Sequence, residues 1–205
     1  MLVYGLGRSG LAVSRLLAAQ GHAVVGYDAR PKPEEVAELE ALGGTFCAAP
    51  LESGCALCIA APGVPYDHPD LSALRAGGIE TIGEVEWVYR TVASSMASGR
   101  ASSTTSSIVG VTGTAGKTST TLWLTELLQG AGLEAVAGGN VDPALSAVAR
   151  EGALLVTELS SFQLERCPTL KPRVGVALNR GADHLDRHGS LAAYHGAKFR
   201  ITACQ

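Results

Sequence analysis

The run Gly110-Val111-Thr112-Gly113-Thr114-Ala115-Gly116-Lys117-Thr118-Ser119 decides the fold of the second half of this chain. An apolar stretch that begins at Ser107 precedes it, and a helix-like stretch from Thr118 to Gln129 follows it. A strand, a glycine-rich turn and a helix N-terminus in that order bring backbone N–H groups together as an anion site. Lys117 adds a charge suited to a β- or γ-phosphate, and the Thr118 hydroxyl suits Mg²⁺. The run predicts a nucleoside-triphosphate site.

This run is a variant of the usual phosphate-binding loop. The strict spacing places glycine at position 111, whereas this chain has Val111 there and Gly113 two residues later. The alternative interpretation is a glycine-rich turn with an incidental lysine, but the flanking strand and helix patterns favour phosphate binding. The residues predicted to contact the nucleotide are Gly113, Thr114, Ala115, Gly116, Lys117, Thr118 and Ser119.

Composition narrows the function classes. The chain has 205 residues, enough for two modest domains, and a net charge of −3. Its 16 lysines and arginines are scattered, so we expect no nucleic-acid partner. No apolar run reaches the roughly 18 residues that span a bilayer, and no signal peptide precedes the first strand, so we expect a cytoplasmic protein without a membrane partner.

The five cysteines include one close pair, Cys55 and Cys58. The apolar residues around Cys58 predict that it lies in a buried strand and packs as a small apolar side chain.

A second glycine-rich turn lies near the N-terminus. Gly5-Leu6-Gly7-Arg8-Ser9-Gly10 separates the apolar run Met1 to Tyr4 from a helical pattern over Leu11 to Ala19. The next predicted strand ends at Asp28, close to the distance at which a dinucleotide fold carries its ribose-binding acid. The pattern predicts a Rossmann-like unit. An NAD(P)-dependent dehydrogenase is one interpretation, although it leaves the phosphate loop unexplained.

Strand-like and helix-like stretches alternate along the chain, which predicts an α/β protein with parallel sheets. We expect a Rossmann-like domain at 1–93 and a partial ATP-binding domain of the P-loop type at 108–205. The stretch 94–107 is rich in serine and lacks an apolar period. Such a stretch buries too little surface to offset its ordering entropy, so it predicts a flexible linker.

Acidic and histidine side chains follow two strands of the second unit. Glu158 ends the apolar strand that starts at Leu154, where P-loop enzymes place a metal-binding acid; a helix cap is the alternative. Asp183 and His184 follow a later strand. His184 and His188 have the i, i+4 spacing of a zinc pair if that stretch is helical, but Gly189 favours a loop.

Together these motifs resemble the Mur ligases, the ATP-dependent ligases of peptidoglycan precursor synthesis, and most closely the branch that adds D-glutamate. The resemblance covers essentially the whole chain. The run from Glu158 to Glu165 is its most specific part, because the other branches differ there. The remaining motifs that carry it are Gly5 to Gly10, Ala61 to Val64, Gly113 to Thr118, Gly138 to Asn140, and Asp183 to Arg187 with Lys198.

The resemblance implies that the N-terminal unit binds the UDP of UDP-N-acetylmuramoyl-L-alanine rather than NAD. Arg8 and Ser9 then contact the pyrophosphate, Asp28 and Arg30 lie at the uracil, and Gly63 lies near the sugar-phosphate.

For the second unit, the resemblance implies ATP and two Mg²⁺ ions. One ion is expected on Thr118 and Glu158, and the other on Glu158, His184 and Lys198. Lys198 can bind a metal only as a carbamate, which turns a cation into an oxygen ligand. The residues implied to act in catalysis are Lys117, Glu158, His184 and Lys198, and those implied to contact the substrate here are Asn140 and His184.

The implied reaction moves the γ-phosphoryl group of ATP to the substrate carboxylate. The amine of D-glutamate attacks the resulting acyl phosphate, which forms an amide and releases phosphate. Members of this family continue well beyond 205 residues, so we expect this chain alone to be inactive in ligation. A non-catalytic nucleotide-binding module is the other interpretation.

Overall fold

The computed structural model describes residues 1–97 and 107–202, with side chains over 1–91 and 108–202. The strands are β1 (Leu2–Tyr4), β2 (Val25–Tyr27), β3 (Thr45–Phe46), β4 (Leu57–Ala60), β5 (Glu80–Ile82), β6 (Ser107–Thr112), β7 (Ala135–Gly139), β8 (Leu154–Glu158) and β9 (Val174–Ala177). The helices are α1 (Arg8–Ala19), α2 (Pro33–Ala41), α3 (Pro69–Ala76), α4 (Glu84–Ala97), α5 (Lys117–Gly130), α6 (Leu145–Val148), α7 (Ser161–Leu164), α8 (Leu185–His188) and α9 (Leu191–Phe199).

The N-terminal unit (residues 1–97) forms a parallel sheet in the order β3-β2-β1-β4-β5. Leu2, Val3 and Tyr4 are all buried, as expected for a parallel strand covered on both faces. The strand order changes direction between β1 and β4. Ligands of open α/β sheets bind at such a switch point, beyond the carboxyl ends of the strands.

The second unit (residues 107–202) forms a parallel sheet in the order β7-β8-β6-β9. In the register of β6 with β8, Val111 lies opposite Glu158. Gly139 at the end of β7 lies opposite the same glutamate from the other side. The carboxyl ends of three strands therefore converge around Glu158.

The predicted α/β fold with two parallel sheets is confirmed. The sequence analysis missed the two-residue strand β3 and the four-residue helices α7 and α8, which are too short to show a period. The loop expected at 184–188 is wrong, since α8 forms a helical turn there before Gly189 ends it. Helix α4 continues to Ala97, so the first residues assigned to the linker are helical. Ser107, the last residue assigned to the linker, begins β6. Residues 98–106 of the predicted linker lie outside the described residues, and the domain boundaries stay a prediction.

Buried polar contacts join the two units. Glu84 is 5% exposed and accepts hydrogen bonds from the backbone N–H and the hydroxyl of Ser146, both at 2.7 Å. Glu86 accepts from the backbone N–H and hydroxyl of Thr169. Helix α4 also places Val85 in the core of the second sheet. The units therefore share one packed interface.

Within the described residues, no helix combines the length and the apolar character needed to cross a membrane.

Candidate active site

The phosphate loop connects β6 to α5, as the sequence predicts. Gly116 caps α5 with φ of +80°, a conformation that glycine adopts without strain. Lys117 and Thr118 then occupy the first turn of the helix. This geometry directs the start of α5, with its partial positive charge, towards the loop.

The N–H groups of the loop are not all free. Those of Thr114 and Ala115 both donate to Oδ1 of Asn179 at 3.0 Å, and Asn179 Nδ2 donates to the Ala115 carbonyl at 2.9 Å. The sequence predicts that the N–H groups of the loop point together at an open anion site. For Thr114 and Ala115 this prediction is wrong, because their N–H groups donate to Asn179. Asn179 follows the end of β9, and this position was the only sequence signal that could have marked it.

Glu158 lies at the centre of the second unit's strand ends and is 2% exposed. Its Oε2 accepts from the hydroxyl of Thr118 at 2.7 Å, and its Oε1 accepts from Nδ2 of Asn140 at 2.7 Å. A carboxylate and a hydroxyl oxygen in contact are the oxygen donors that Mg²⁺ prefers. The donor set fits the magnesium ion that the sequence predicts, and Glu158 is not a helix cap.

Two lysines share one carbonyl of the loop. Lys117 Nζ donates to Gly113 O at 3.0 Å and to Thr114 O at 3.2 Å. Lys198 Nζ donates to the same Gly113 O at 2.7 Å, and its ammonium lies 4.6 Å from the ring centre of Tyr194. Lys198 is 5% exposed, and burial lowers its pKa. Both lysines therefore lie at the phosphate loop, and the metal-binding role of Lys198 stays a prediction.

The histidine that caps α8, His184, and the one that ends it, His188, have different surroundings. The His188 side chain is 1% exposed, with Nε2 2.9 Å from Ser161 Oγ and Nδ1 3.1 Å from Glu165 Oε1. Burial lowers its pKa. His184 has φ of +51°, about half of its side chain is exposed, and its ring lies 4.9 Å from that of Phe162. His188 is thus a structural residue, which removes the basis for a zinc pair.

No group of three or more histidine, cysteine or acidic side chains suited to a metal ion occurs in the part of the chain that the structure describes. The polar contact that the structure gives the His184 ring is with Asp183, at 3.4 Å. Tyr194 lies between His184 and the phosphate loop. Its ring centre is 6.4 Å from that of His184, and its hydroxyl donates to Thr114 Oγ1 at 3.2 Å. The role of His184 as a metal ligand stays a prediction.

In the N-terminal unit, Asp28 supports the glycine-rich turn. Its Oδ2 accepts from the backbone N–H of Leu6 and its Oδ1 accepts from that of Arg30, both at 2.8 Å. Asp28 and Arg30 therefore lie beside the turn that contains Arg8 and Ser9. That turn follows β1, one of the two strands between which the strand order changes direction.

The N-terminal glycine-rich turn meets the segment after β7 across the interface between the units. Arg8 Nη2 donates to the Asn140 carbonyl at 3.2 Å, and Arg8 Nη1 lies 3.4 Å from Asp142 Oδ1. Gly63 also faces the second unit, because its carbonyl accepts from Arg187 at 3.4 Å. Arg8, which is predicted at the pyrophosphate, therefore lies next to Asn140, whose side chain donates to Glu158.

Sequence reasoning missed the arginines that fix this junction. Arg166 Nη2 donates to the carbonyls of Val64 at 2.6 Å and Pro65 at 2.9 Å. Arg187 Nη2 donates to the same Val64 carbonyl at 2.8 Å. The only available signal for Arg166 was its place directly after the run Glu158 to Glu165.

Cys58 behaves as predicted. It lies in β4 with no exposed surface, and burial raises the pKa of its thiol to about 12. Cys47, Cys55, Cys58 and Cys167 are free thiols.

Two family profiles match the chain. The profile of the Mur ligase MurD-like N-terminal domain matches residues 1–83, and that of the Mur ligase middle domain matches residues 111–205. The chain is 51% identical over 203 residues to the UDP-N-acetylmuramoylalanine–D-glutamate ligase of Thermus thermophilus, covering 98% of this chain and 45% of that protein. It is 46% identical over 205 residues to the ligase of the same name from Deinococcus radiodurans, covering 100% of this chain and 42% of that protein. The chain thus spans less than half the length of these relatives.

Solved structures give the same fold. The UDP-N-acetylmuramate–alanine ligase of Thermotoga maritima aligns with a TM-score of 0.59 and 23% identity, over 99% of this chain and 46% of that one. A ligase from Neisseria, named for UDP-N-acetylmuramate and a tripeptide, aligns with a TM-score of 0.61 and 21% identity, over 98% of this chain and 66% of that one. The paired family profiles, with relatives at 46% and 51% identity, establish more than the fold: the chain belongs to the Mur ligase family.

Proposed function

We propose that this chain is the precursor-binding and nucleotide-binding part of a cytoplasmic ligase that joins D-glutamate to UDP-N-acetylmuramoyl-L-alanine. The observation that carries the proposal is the position of Glu158 between the Thr118 hydroxyl and the Asn140 amide. Arg8 of the glycine-rich turn contacts the Asn140 backbone from the other unit. These contacts support a precursor site that lies beside the triphosphate loop.

Each group in this junction has a task in the proposed reaction. A carboxylate is a poor electrophile with a poor leaving group, so it must first accept the γ-phosphoryl group of ATP. Lys117, at the start of α5, offsets the negative charge that gathers when ATP meets a carboxylate. When bound, Mg²⁺ supplies Lewis-acid stabilisation of the phosphoryl oxygens. Thr118 and Glu158 would hold it.

Glu158, His184 and Lys198 are proposed for a second metal position. The unmodified Nζ of Lys198 donates to Gly113 O. A lysine ammonium has no lone pair and therefore cannot bind Mg²⁺. It requires conversion to a carbamate, and its burial and lowered pKa favour the neutral amine that reacts with CO₂. The Asn140 side chain is proposed to lie next to the transferred phosphoryl group, because it is held against Glu158.

The dehydrogenase alternative has lost its support. It rested on the glycine-rich turn and Asp28, whereas both matching profiles belong to ligase domains. A purely non-catalytic nucleotide-binding module is likewise not favoured by relatives that are named as ligases over 98–100% of this chain.

A thermal-shift series on the purified chain tests the proposal against these alternatives. UDP-N-acetylmuramoyl-L-alanine is expected to raise the melting temperature in a saturable manner, because a ligand that binds only the folded state stabilises it. NADH at the same concentration is expected to leave it unchanged. Stabilisation by NADH without any by the UDP precursor would reverse the assignment.

Phosphate release that requires ATP, UDP-N-acetylmuramoyl-L-alanine and D-glutamate together measures the complete reaction. For the 205-residue chain alone we expect background release, because it spans 42–45% of the ligases it matches. Release above background would show that these residues suffice for ligation.

A further inference from the structure

A cleft between the two units lies apart from the site described above. Its volume is about 350 Å³, and it shares no lining residue with the phosphate loop or the glycine-rich turn. Tyr66 and Arg75 line it from the N-terminal unit, and Arg166 and Arg200 line it from the second unit. Three arginines therefore line one opening.

The three arginines are held in place by neutral acceptors. Arg75 donates to the Thr81 hydroxyl at 3.1 Å and to the Tyr66 carbonyl at 2.8 Å. Arg200 donates to the carbonyl of Glu165 at 2.7 Å, and Arg166 donates to the carbonyls of 64 and 65. Within the described side chains, none of the three lies within 4.0 Å of a carboxylate oxygen, whereas Arg15 and Arg150 do. The three groups are therefore oriented but not neutralised.

Arg166 makes the absence of a counter-charge costly. It is 1% exposed, and its Nε and Nη1 are buried with no hydrogen-bond partner among the described residues. A buried cation that lacks a partner destabilises its surroundings. Burial and the neighbouring charges of Arg187 and Arg75 lower the pKa of Arg166 to about 10. The positive charges at this junction repel one another.

The two acids that line the cleft do not remove this excess. Both carboxylate oxygens of Glu80 accept from Arg90, at 2.7 and 2.9 Å, so that charge is already paired. Glu165 Oε1 faces His188 at 3.1 Å. The lining therefore holds three arginines and two glutamates, one of which is already paired with Arg90, so an excess of positive charge remains.

We propose that this cleft binds a small oxyanion, a phosphate or carboxylate group, through Arg75 and Arg200, with the charge of the buried Arg166 in its lining. Arginine is suited to this role because its planar fork matches both groups with two parallel N–H bonds. The volume exceeds that of a single ion and matches the lower range of small-molecule pockets. Because its arginines come from both units, the bound anion bridges them.

Nuclear magnetic resonance of the arginine Nε–H groups tests the proposal directly. The chain with Lys117→Ala, which weakens phosphate binding at the loop, is titrated with sodium phosphate, sodium malonate and, as the control, sodium chloride at matched ionic strength. We expect saturable shifts of the Arg75, Arg166 and Arg200 signals with phosphate or malonate, and none with chloride. The stronger of the two identifies the anion as a phosphate or a carboxylate.

Variants check the assignment in the same background. Arg75→Met is expected to lower the affinity for the anion about tenfold or more, because one charge-assisted contact is lost. Arg15→Met is the matched control, because Arg15 is half exposed and pairs with Glu38 outside the cleft. Shifts that do not saturate, that chloride reproduces, or that Arg75→Met leaves unchanged would overturn the proposal.

The outcome is separable from that of the proposed function. The precursor is assigned to the glycine-rich turn, which contributes no residue to the cleft. A titration of the same chain with UDP-N-acetylmuramoyl-L-alanine therefore gives an independent result.

Discussion

At the scale of single residues, the predictable part of the site is the part that chemistry requires at a fixed place in a motif. Lys117, Thr118 and Glu158 were predicted because a phosphate loop and the end of the adjacent strand define their positions, and the structure brings Thr118 and Glu158 into contact. Asn179 and Arg166 were not predictable. Their importance comes from neighbours 64 and 102 residues away in sequence, and no local pattern encodes such contacts.

Asp28 gives the first prediction. Its carboxylate accepts from two backbone N–H groups beside the glycine-rich turn, so Asp28→Ala leaves both without this partner. We expect the affinity for UDP-N-acetylmuramoyl-L-alanine to fall about tenfold or more, since a hydrogen bond to a charged group contributes about 1.5–3 kcal/mol. Isothermal titration calorimetry measures the loss.

Asp28→Asn is the matched control, because it keeps one oxygen acceptor. We expect it to bind with an affinity between those of the wild-type chain and Asp28→Ala. Equal affinity of all three proteins would show that Asp28 does not organise the precursor site.

At the scale of elements, short segments escaped the sequence analysis while long periodic ones did not. Helices α1 and α5 and the buried strands β1, β4 and β8 follow clear apolar patterns. Helices α7 and α8 have four residues each, which is about one turn and too short for a period. They form because of tertiary contacts, such as that of His188 with Ser161. The packing of the glycine-rich turn against α1 can be tested by single substitutions at its glycines.

Gly10 and Gly7 give the second prediction. A Cβ atom on Gly10 would overlap the Gly5 carbonyl oxygen, whereas one on Gly7 meets no atom within 4 Å. Gly10→Ala is therefore expected to lower the free energy of unfolding by about 2–4 kcal/mol, because the turn and α1 must separate. Urea unfolding followed by circular dichroism measures the change.

Gly7→Ala is the partner experiment. Gly7 caps α1, and alanine at a helix cap in place of glycine costs about 1 kcal/mol or less, so the chain stays folded. The precursor should nevertheless bind more weakly, since the turn must let a pyrophosphate approach its backbone. If Gly10→Ala were as stable as Gly7→Ala, the close packing of turn and helix would be wrong.

At the scale of the whole molecule, the relation between the units was the least predictable feature. The predicted boundary follows residue 93, and α4 carries Val85 and Val88 into the core of the second sheet. It also brings Glu84 to Ser146 and Glu86 to Thr169. Buried acids at an interface carry no sequence signal, because the same residues are typical of the exposed first turn of a helix.

Glu84 gives the third prediction. Burial raises its pKa above the ordinary 4.5, against the opposing effect of the hydrogen bonds from Ser146. The folded chain therefore holds this proton more tightly than the unfolded chain. The contribution of Glu84 to the free energy of unfolding falls as pH rises from about 4.5 through the raised pKa, and the loss is complete above it.

Glu84→Gln removes this dependence. Relative to the wild-type chain, we expect the variant to gain stability as pH rises from 4 to 8, by on the order of 1 kcal/mol. Urea unfolding across this range gives the values. Glu80→Gln is the control of opposite sign, because hydrogen bonds from Arg90 lower the pKa of Glu80. Parallel pH profiles for Glu84→Gln and the wild-type chain would contradict the buried contact.

The central claim is that the N-terminal unit binds a UDP-linked muramoyl precursor beside the phosphate loop. Isothermal titration calorimetry of the folded 205-residue chain with UDP-N-acetylmuramoyl-L-alanine tests it most directly. We expect saturable binding with one precursor per chain, competition by UDP, and only weak binding of Mg·ATP in a parallel titration. The account would be contradicted if the chain, shown to be folded by circular dichroism, did not bind the precursor at all.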